Sequence, residues 1–312
     1  MDFTQLVLKA RPNIKPNSAK TYATSLKLLA PQTPEPPTNL DFLKDTETIL
    51  AKLEKYKIST KRNYLNAIVI VLKEVEGYEV PLKEYEKLRD IYNDDLSQQT
   101  QLHKKSDRQK EIWIDWPDYL DIVERLRDRV TSLKSGDWTA KQRQDYQDFL
   151  ITLLYSKYPL RNDWADVMVI SKTDYNGLTE DLKREGNFLV KHNTNKFFFV
   201  LNEYKTSAKY GERNIEIDDD VLPSLRRWLR HNDSGFLLVN RKGAPLNSNG
   251  ITKVLNRIGE HERGKPFGSS ILRHSYLSHK YASVVEQKKA QEEDAGLMMH
   301  SVSTQQDYVK TD

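Results

Sequence analysis

The chain has 312 residues, with 49 Lys and Arg against 45 Asp and Glu and a net charge of +4. This length suits two domains of roughly 150 residues each, and so small an excess of positive charge excludes both a histone-like polycation and an acidic disordered tail. The sequence contains no cysteine, which excludes disulfides, thiolate zinc sites and cysteine nucleophiles.

The first 97 residues have the pattern of a small all-helical domain. Helical spacing of apolar residues predicts helices over 3–30, 43–56, 59–76 and 81–95, with NSAKTY as a capped start after Pro16. Between the first two, the segment PQTPEPP (Pro31 to Pro37) is a loop, because proline is not tolerated inside a helix. Residues 98–112 are polar and charged, and we interpret them as a linker.

All of the excess positive charge lies in this first part of the chain. Residues 1–110 hold 19 Lys and Arg against 15 Asp and Glu, whereas the remainder holds 30 of each. A helix is predicted after an N-cap at Ser59 or Thr60, with an apolar stripe from Tyr64 to Val75. Four basic residues lie in this segment with no acidic residue between them, namely Lys57, Lys61, Arg62 and Lys73. A basic first turn opposes the helix dipole, and a bound phosphate would remove that conflict. The alternative is an ordinary solvated helix end.

Residues 113–312 have the pattern of a second, mixed domain. The predicted helices cover 117–133, 139–157, 160–170, 219–231, 248–259, 269–284 and 287–298. Between them, NFLVK, KFFFVL and RNIEI alternate with turns over residues 187–217 and predict a short antiparallel sheet. The fold class is therefore mainly α with a small antiparallel β-sheet. No apolar run approaches the ~18 residues that span a bilayer, and the N-terminus does not begin a signal peptide. We expect an intracellular chain, in the cytoplasm or nucleus, without a membrane partner.

Five polar residues in the second domain have the chemistry that transfer of a phosphoryl group to a protein hydroxyl requires. They are Arg161, Lys205, Arg273, His300 and Tyr308. Two guanidinium groups can bind the non-bridging oxygens of a phosphodiester, and a lysine can donate a proton to a leaving oxygen. A tyrosine nucleophile, with an ordinary pKa of ~10, needs nearby cations for activation.

Taken one at a time, each of these residues has a simpler interpretation. Arg161 could pair with Asp163 or Asp166 on the surface, and Lys205 could be a hairpin charge. His300 could be a hydrogen-bonding helix residue, and Tyr308 a core aromatic residue. Only their order and spacing together favour a catalytic site.

That order resembles the tyrosine recombinases, also called phage-type integrases. The most specific segments are SSILRHSYLSHKY and GLMMHSVSTQQDYVK, followed by YKTSAKYGERNIEI and then PLRNDWADV, and the likeness covers essentially the whole chain. The helical first domain, with SAKTY and STKRNYLNAIVIVL, is similar to their core-binding domain, and residues 113–312 are similar to their catalytic domain. The combination is closer to recombinases of eukaryotic DNA viruses and mobile elements than to bacterial dimer-resolution enzymes.

The resemblance implies a role for each residue. Arg161 and Arg273 would hold the scissile phosphate, Lys205 would protonate the departing 5′ oxygen, and His300 would hydrogen-bond the phosphate. Tyr308 would attack phosphorus and form a 3′-phosphotyrosyl link, without ATP, metal or any other cofactor. The partner would be double-stranded DNA, bound by a homotetramer on two sites. Phosphate contacts are expected from the candidate DNA-binding residues Lys57, Lys61, Arg62, Asn66, Lys104 and Lys105.

The chain departs from the family pattern in three places. Ser270 stands three residues before Arg273, where the family usually has His, and a serine is not an ionisable base. His274, the other supporting candidate, points about 100° away from Arg273 on a helix. The interval from His300 to Tyr308 is one residue shorter than usual, and four residues follow Tyr308.

Two other functions would also fit these residues. One is a type IB topoisomerase-like relaxing enzyme with the same five-residue chemistry. The other is a non-catalytic DNA-binding protein with the same fold. A metal nuclease is disfavoured, because no carboxylate cluster with metal-ligand spacing occurs.

Overall fold

The computed structural model describes residues 1–33, 37–102 and 104–308, without the side chains of Gln101 and residues 306–308. The chain forms two compact units, Met1–Lys105 and Ser106–Asp312. Among the described residues, no helix combines the length and apolar character needed to cross a membrane. The prediction of a mainly helical protein with one small sheet is confirmed.

The first unit is entirely helical. Its elements are α1 (Phe3–Ala10), α2 (Pro16–Leu29), the 3₁₀ turn η1 (Asp41–Leu43), α3 (Thr46–Leu53), α4 (Ile58–Leu72) and α5 (Glu79–Gln101). Helix α4 lies at the centre and packs against α1, α2 and α5. Its residues from Ala67 to Leu72 are all buried, so this helix is apolar on every side over its second half, as expected of a core helix.

Several predicted boundaries in this unit are wrong. The helix predicted over 3–30 is two helices, since Pro12 and Pro16 lie at the interruption and Pro16 starts α2 without a side-chain cap. The N-cap of α4 is Lys57 rather than Ser59 or Thr60, and α4 ends before Val75. In the predicted loop, residues 31–33 and 37 are non-helical, and residues 34–36 lie outside the described residues.

The second unit surrounds a mixed sheet with helices. Its elements are α6 (Asp107–Ile112), α7 (Trp116–Thr131), α8 (Ala140–Lys157), β1 (Met168–Ser171), α9 (Lys172–Gly177), α10 (Glu180–Arg184), β2 (Asn187–Asn193), β3 (Lys196–Leu201), α11 (Ser207–Tyr210), β4 (Arg213–Glu216), α12 (Leu222–Leu229), α13 (Ser248–Arg263), α14 (Ser269–Leu297) and α15 (Val302–Tyr308). Helix α8 has ten consecutive buried residues, from Tyr146 to Tyr155, and packs against α7, α12 and α13. Helix α8 is therefore the central helix of this unit.

The predicted linker, residues 98–112, contains regular structure. Helix α5 continues through Gln101, and α6 occupies Asp107–Ile112. Ser106 accepts a hydrogen bond from the backbone N–H of Gln109, whose side chain accepts one in return from the backbone of Ser106. This reciprocal cap fixes the start of α6, because it satisfies two N–H groups that a helix start leaves without partners.

The four strands are ordered β1-β2-β3-β4. The pairs β2–β3 and β3–β4 are antiparallel, as predicted for residues 187–217, whereas β1 pairs in parallel with β2. The helix predicted over 160–170 is wrong: its first part is a turn and its end is β1. Asp166 adopts a left-handed backbone with φ of 54°, which no α-helix accommodates, and Trp164 is fully buried against Phe199 of β3.

Helix α14 connects the two most specific motifs of the sequence. The two helices predicted over 269–284 and 287–298 are present as two helical parts of α14 (Ser269–Leu297), although the break between them lies at Tyr281, earlier than predicted. Helix α14 is kinked at Tyr281, whose φ of −118° and ψ of 17° are non-helical. Arg273 lies near the start of this helix, and His300 follows its end.

Candidate active site

The turn that carries Arg161 is fixed by hydrogen bonds from two helices. The hydroxyl of the buried Tyr155, on α8, donates to the Arg161 carbonyl oxygen at 2.8 Å. The Asn162 amide donates to the Ser248 carbonyl oxygen and to the Thr252 hydroxyl of α13, both at 2.8 Å. The backbone at Arg161 is therefore held rigidly, while its side chain is exposed.

Arg273 lies beside this turn. Its Nε donates to the carbonyl oxygen of Pro159, two residues before Arg161, at 3.1 Å. Burial lowers the pKa of the Arg273 guanidinium, and repulsion from the Arg161 charge lowers it further, while Asp163 and Tyr155 act in the opposite direction. The structure thus brings the two predicted phosphate-binding arginines close enough to repel each other.

Asp163 is the acidic residue that both arginine charges influence. Burial raises the pKa of its carboxyl group, against a hydrogen bond from the Arg161 backbone and the charges of Arg161 and Arg273. Among the described residues, neither arginine forms a salt bridge within 4.0 Å, so Arg161 does not form the surface pair with Asp163 or Asp166. Two guanidinium groups and one half-buried carboxyl group leave an excess of positive charge, which an oxyanion would offset.

Lys205 lies in the connection between β3 and β4, the position predicted for it. Its side chain is exposed, and no hydrogen bond or ion pair is described for its ammonium group within residues 1–33, 37–102 and 104–308. The connection itself is ordered: the Tyr204 hydroxyl donates to the Gly211 carbonyl oxygen at 2.7 Å, and α11 forms a single helical turn between them. Lys205 is thus an available cation on a well-held loop.

The residue that joins the Lys205 loop to the Arg161 turn is Asn187, which no motif of the sequence marks. Asn187 is the first residue of β2, and its side chain is buried. Its Oδ1 accepts from the backbone N–H groups of Asn202 and Glu203, each at 2.9 Å. Its Nδ2 donates to the carbonyl oxygens of Glu203, at 2.9 Å, and Asp163, at 3.4 Å. One amide therefore ties both loops together.

His300 and Tyr308 flank the short helix α15. His300 follows Met299, which has a left-handed backbone with φ of 56°. Its Nδ1 is 3.1 Å from the Ser301 carbonyl oxygen and its Nε2 is 3.3 Å from the Met298 sulfur, so these contacts lie within its own segment. Tyr308 ends α15, and its side chain lies outside the described residues.

The two supporting candidates, Ser270 and His274, are both exposed on the first turns of α14. Burial raises the pKa of Tyr155, and the neighbouring Ser269, rather than Ser270, acts against this rise. Gly268 is the N-cap of α14, and no side chain caps this end. The positive end of the helix dipole therefore lies about one turn before Arg273.

The candidate DNA-binding residues of the first unit lie on and around α4. Lys57 is exposed, while Lys61 and Arg62 are half-buried, and the Nε of Arg62 is buried without a described partner. Asn66 lines a cavity of about 210 Å³ together with Arg11 and Lys73. Lys73 has no acidic neighbour in its own predicted basic segment, but it pairs with an acid from another helix, since its ammonium group lies 2.8 Å from the Glu86 carboxylate of α5.

The last two candidates for DNA binding, Lys104 and Lys105, lie between α5 and α6 and are exposed. In the part of the chain that the structure describes, no group of three or more His, Asp or Glu side chains could hold a metal ion.

Comparison with known proteins gives one family and several weak structural likenesses. Residues 191–311 match the model of the phage integrase family, a range that includes Lys205, Arg273, His300 and Tyr308. No curated protein sequence matches the chain. A structure of the XerH site-specific recombinase bound to its difH substrate has 15% identity and a TM-score of 0.46, over 99% of this chain and 80% of that one.

A Tn1549 transposon integrase, in complex with transposon right end DNA, has 14% identity and a TM-score of 0.40, over 100% of this chain and 96% of that one. The family match is independent of these likenesses. It confirms the resemblance predicted from the sequence over residues 191–311, which are similar to the phage integrase family.

Proposed function

We propose that this chain is a site-specific DNA recombinase that cleaves and rejoins duplex DNA through a covalent 3′-phosphotyrosine. The observation that carries the proposal is the approach of Arg161 and Arg273 to each other, with a surplus of positive charge between α8 and α14. A phosphodiester placed there would receive hydrogen bonds from both guanidinium groups, which would stabilise the added negative charge of the transition state.

In the proposed reaction, the Tyr308 oxygen attacks phosphorus and the bond from phosphorus to the 5′ oxygen breaks. Lys205 donates its proton to that departing oxygen, and the phenol proton passes to solvent. His300 hydrogen-bonds a non-bridging oxygen of the phosphate. The phosphotyrosine retains the energy of the broken ester, so a 5′ hydroxyl from a second strand can reverse the step without ATP.

Recombination between two duplexes needs one nucleophile for each of four strands. We therefore propose a homotetramer on two DNA sites, with phosphate contacts from Lys57, Lys61, Arg62, Asn66, Lys104 and Lys105. The exposure of Lys57, Lys104 and Lys105 supports this assignment. The balance of 19 basic to 15 acidic residues over 1–110 supports it as well.

The test is covalent trapping on a library of nicked duplexes, from which the cleaved strand cannot be rejoined. Wild type is expected to form a protein–DNA adduct, and sequencing the trapped DNA identifies the target site. Tyr308→Phe is expected to form none, while Tyr281→Phe, which alters an exposed tyrosine of α14, should behave as wild type. An adduct with Tyr308→Phe would disprove the nucleophile assignment.

Two further outcomes would change the proposed class. Relaxation of any supercoiled plasmid without paired sites would indicate a topoisomerase-like enzyme. Normal DNA binding with no adduct on any duplex would indicate a non-catalytic DNA-binding protein.

A further inference from the structure

We infer that Asn187 is a positioning residue for the proton donor Lys205, an inference that rests on the proposed function. The chain reverses at Leu201, the last residue of β3, which pairs with Asn187 across the sheet. Directly after Leu201, the backbone leaves the ladder and begins the loop that carries Lys205. Asn187 binds the backbone of this loop at its first two residues.

Only a primary amide can make this set of bonds. Two backbone N–H groups point at Oδ1, and two backbone carbonyl oxygens accept from Nδ2. A carboxylate could accept from the N–H groups, but it would place negative charge against the carbonyl oxygens of Glu203 and Asp163. Because Asn187 is only 7% exposed, water could not easily replace the lost donors, and the loop would have to shift.

The three bonds to residues 202 and 203 are each 2.9 Å, whereas the bond to the Asp163 carbonyl oxygen is 3.4 Å. Lys205 follows Glu203 by two residues, so a displacement of the loop start moves the ammonium group directly. The Arg161 turn has other anchors, on Tyr155 and α13. Loss of the amide should therefore affect proton donation by Lys205 more than phosphate binding by Arg161.

Leaving-group chemistry separates these two effects. When the bridging 5′ oxygen of the scissile phosphate is replaced by sulfur, the departing thiolate needs no proton. A variant that only misplaces the proton donor should cleave this substrate normally, whereas a variant with a damaged phosphate site should remain slow.

The experiment measures covalent adduct formation on 5′-oxygen and 5′-sulfur duplexes for wild type, Asn187→Asp and Lys205→Ala. We expect Asn187→Asp to be about 10- to 100-fold slow on the oxygen substrate, because a small misplacement of a catalytic group costs up to about that factor. On the sulfur substrate it should be within about threefold of wild type, as Lys205→Ala should be. If Asn187→Asp does not fold, Asn187→Ser, which keeps one donor and one acceptor, supports the same comparison.

Gln147→Glu is the matched control. Like Asn187, Gln147 is 7% exposed and its side-chain amide hydrogen-bonds to backbone groups. It donates to the Val239 carbonyl oxygen at 2.9 Å and accepts from the Val239 N–H at 2.8 Å. Gln147→Glu should lower the stability of the protein, but it should not produce slow cleavage of the oxygen substrate that the sulfur substrate restores.

Equal slowing of Asn187→Asp on both substrates, or no slowing on either, would overturn the inference. Wild type that forms no adduct on either substrate would overturn the proposed function, and the inference with it.

Discussion

Replacing Arg273 should slow DNA cleavage strongly while leaving the stability of the free protein almost unchanged. Replacing it by alanine removes a guanidinium that would bind two phosphate oxygens. A hydrogen bond between charged groups contributes about 1.5–3 kcal/mol, so two such bonds are worth about 3–6 kcal/mol in the transition state. At 1.36 kcal/mol for each factor of ten, Arg273→Ala should slow cleavage by about 10²- to 10⁴-fold.

The same substitution should change the stability of the free protein very little. It removes one hydrogen bond, from Nε to the Pro159 carbonyl oxygen, but it also removes the repulsion and the burial that lower the pKa of Arg273. We expect the free energy of unfolding to change by less than about 1 kcal/mol. A residue that costs this little to remove is retained for binding rather than for folding.

Single-turnover cleavage of a nicked duplex and urea unfolding measure the two effects. Arg184→Ala is the control, because it removes a surface arginine whose side chain is 75% exposed on α10. Cleavage by Arg273→Ala within about threefold of wild type would refute the phosphate-binding role. A loss of more than about 3 kcal/mol in unfolding free energy would show that Arg273 is a structural residue instead.

Three further predictions concern binding and stability. The double variant Lys57→Ala, Lys61→Ala should reduce the steepness of log affinity for duplex DNA against log salt concentration by about 1 to 2, while Lys27→Ala should leave it unchanged. If the double variant has the same slope as wild type, neither lysine contacts DNA. Asp166→Asn should stabilise the protein at pH 7 by no more than a few tenths of a kcal/mol, because Asp166 is exposed and solvent screens its charge. Partial desolvation raises the pKa of its carboxyl group, so the gain should disappear as the pH falls below about 3.8; thermal unfolding at both pH values tests the sign. Glu262→Gln should cost about 2 kcal/mol at pH 7. Burial raises the pKa of Glu262, but hydrogen bonds from Arg129 and its neighbours lower it by more, so that the net shift is downward. The stability lost in Glu262→Gln should therefore shrink as the pH falls below about 4.5. A stability loss that does not change with pH in urea unfolding would contradict the pairing of Glu262 with Arg129.

The sequence was informative wherever one face of an element decides its structure. The helical spacing of apolar residues predicted α7, α8 and α13 to within a few residues, and turn residues predicted the strands from Asn187 to Glu216. The helix predicted over 160–170 was wrong because the spacing of apolar residues there is compatible with a helix, although the segment forms a turn and β1. The left-handed conformation of Asp166 and the burial of Trp164 against Phe199 depend on tertiary contacts, which periodicity does not contain.

The candidate site divides in the same way. Arg273 and Lys205 were predicted as site residues because short motifs surround them. The structure places them on the elements predicted for them, near the start of α14 and in the β3–β4 connection. Asn187 could not be found, because its partners are backbone atoms 16 and 24 residues away in the sequence. Backbone groups are the same at every residue, so no side-chain pattern marks them in advance.

The kink of α14 at Tyr281 divides this helix into two parts of different local stability. Before the kink, Ile271, Leu272 and Ser275 are buried in the core. Beyond it, nearly every residue is exposed up to Ala295, and a helix of about 16 residues without packing is only marginally stable in water. Amide hydrogens around Arg273 should therefore exchange at rates set by global unfolding, while those of the segment leading to His300 exchange through local opening. Arg273 and the segment that leads to His300 would then belong to separate cooperative units of one helix.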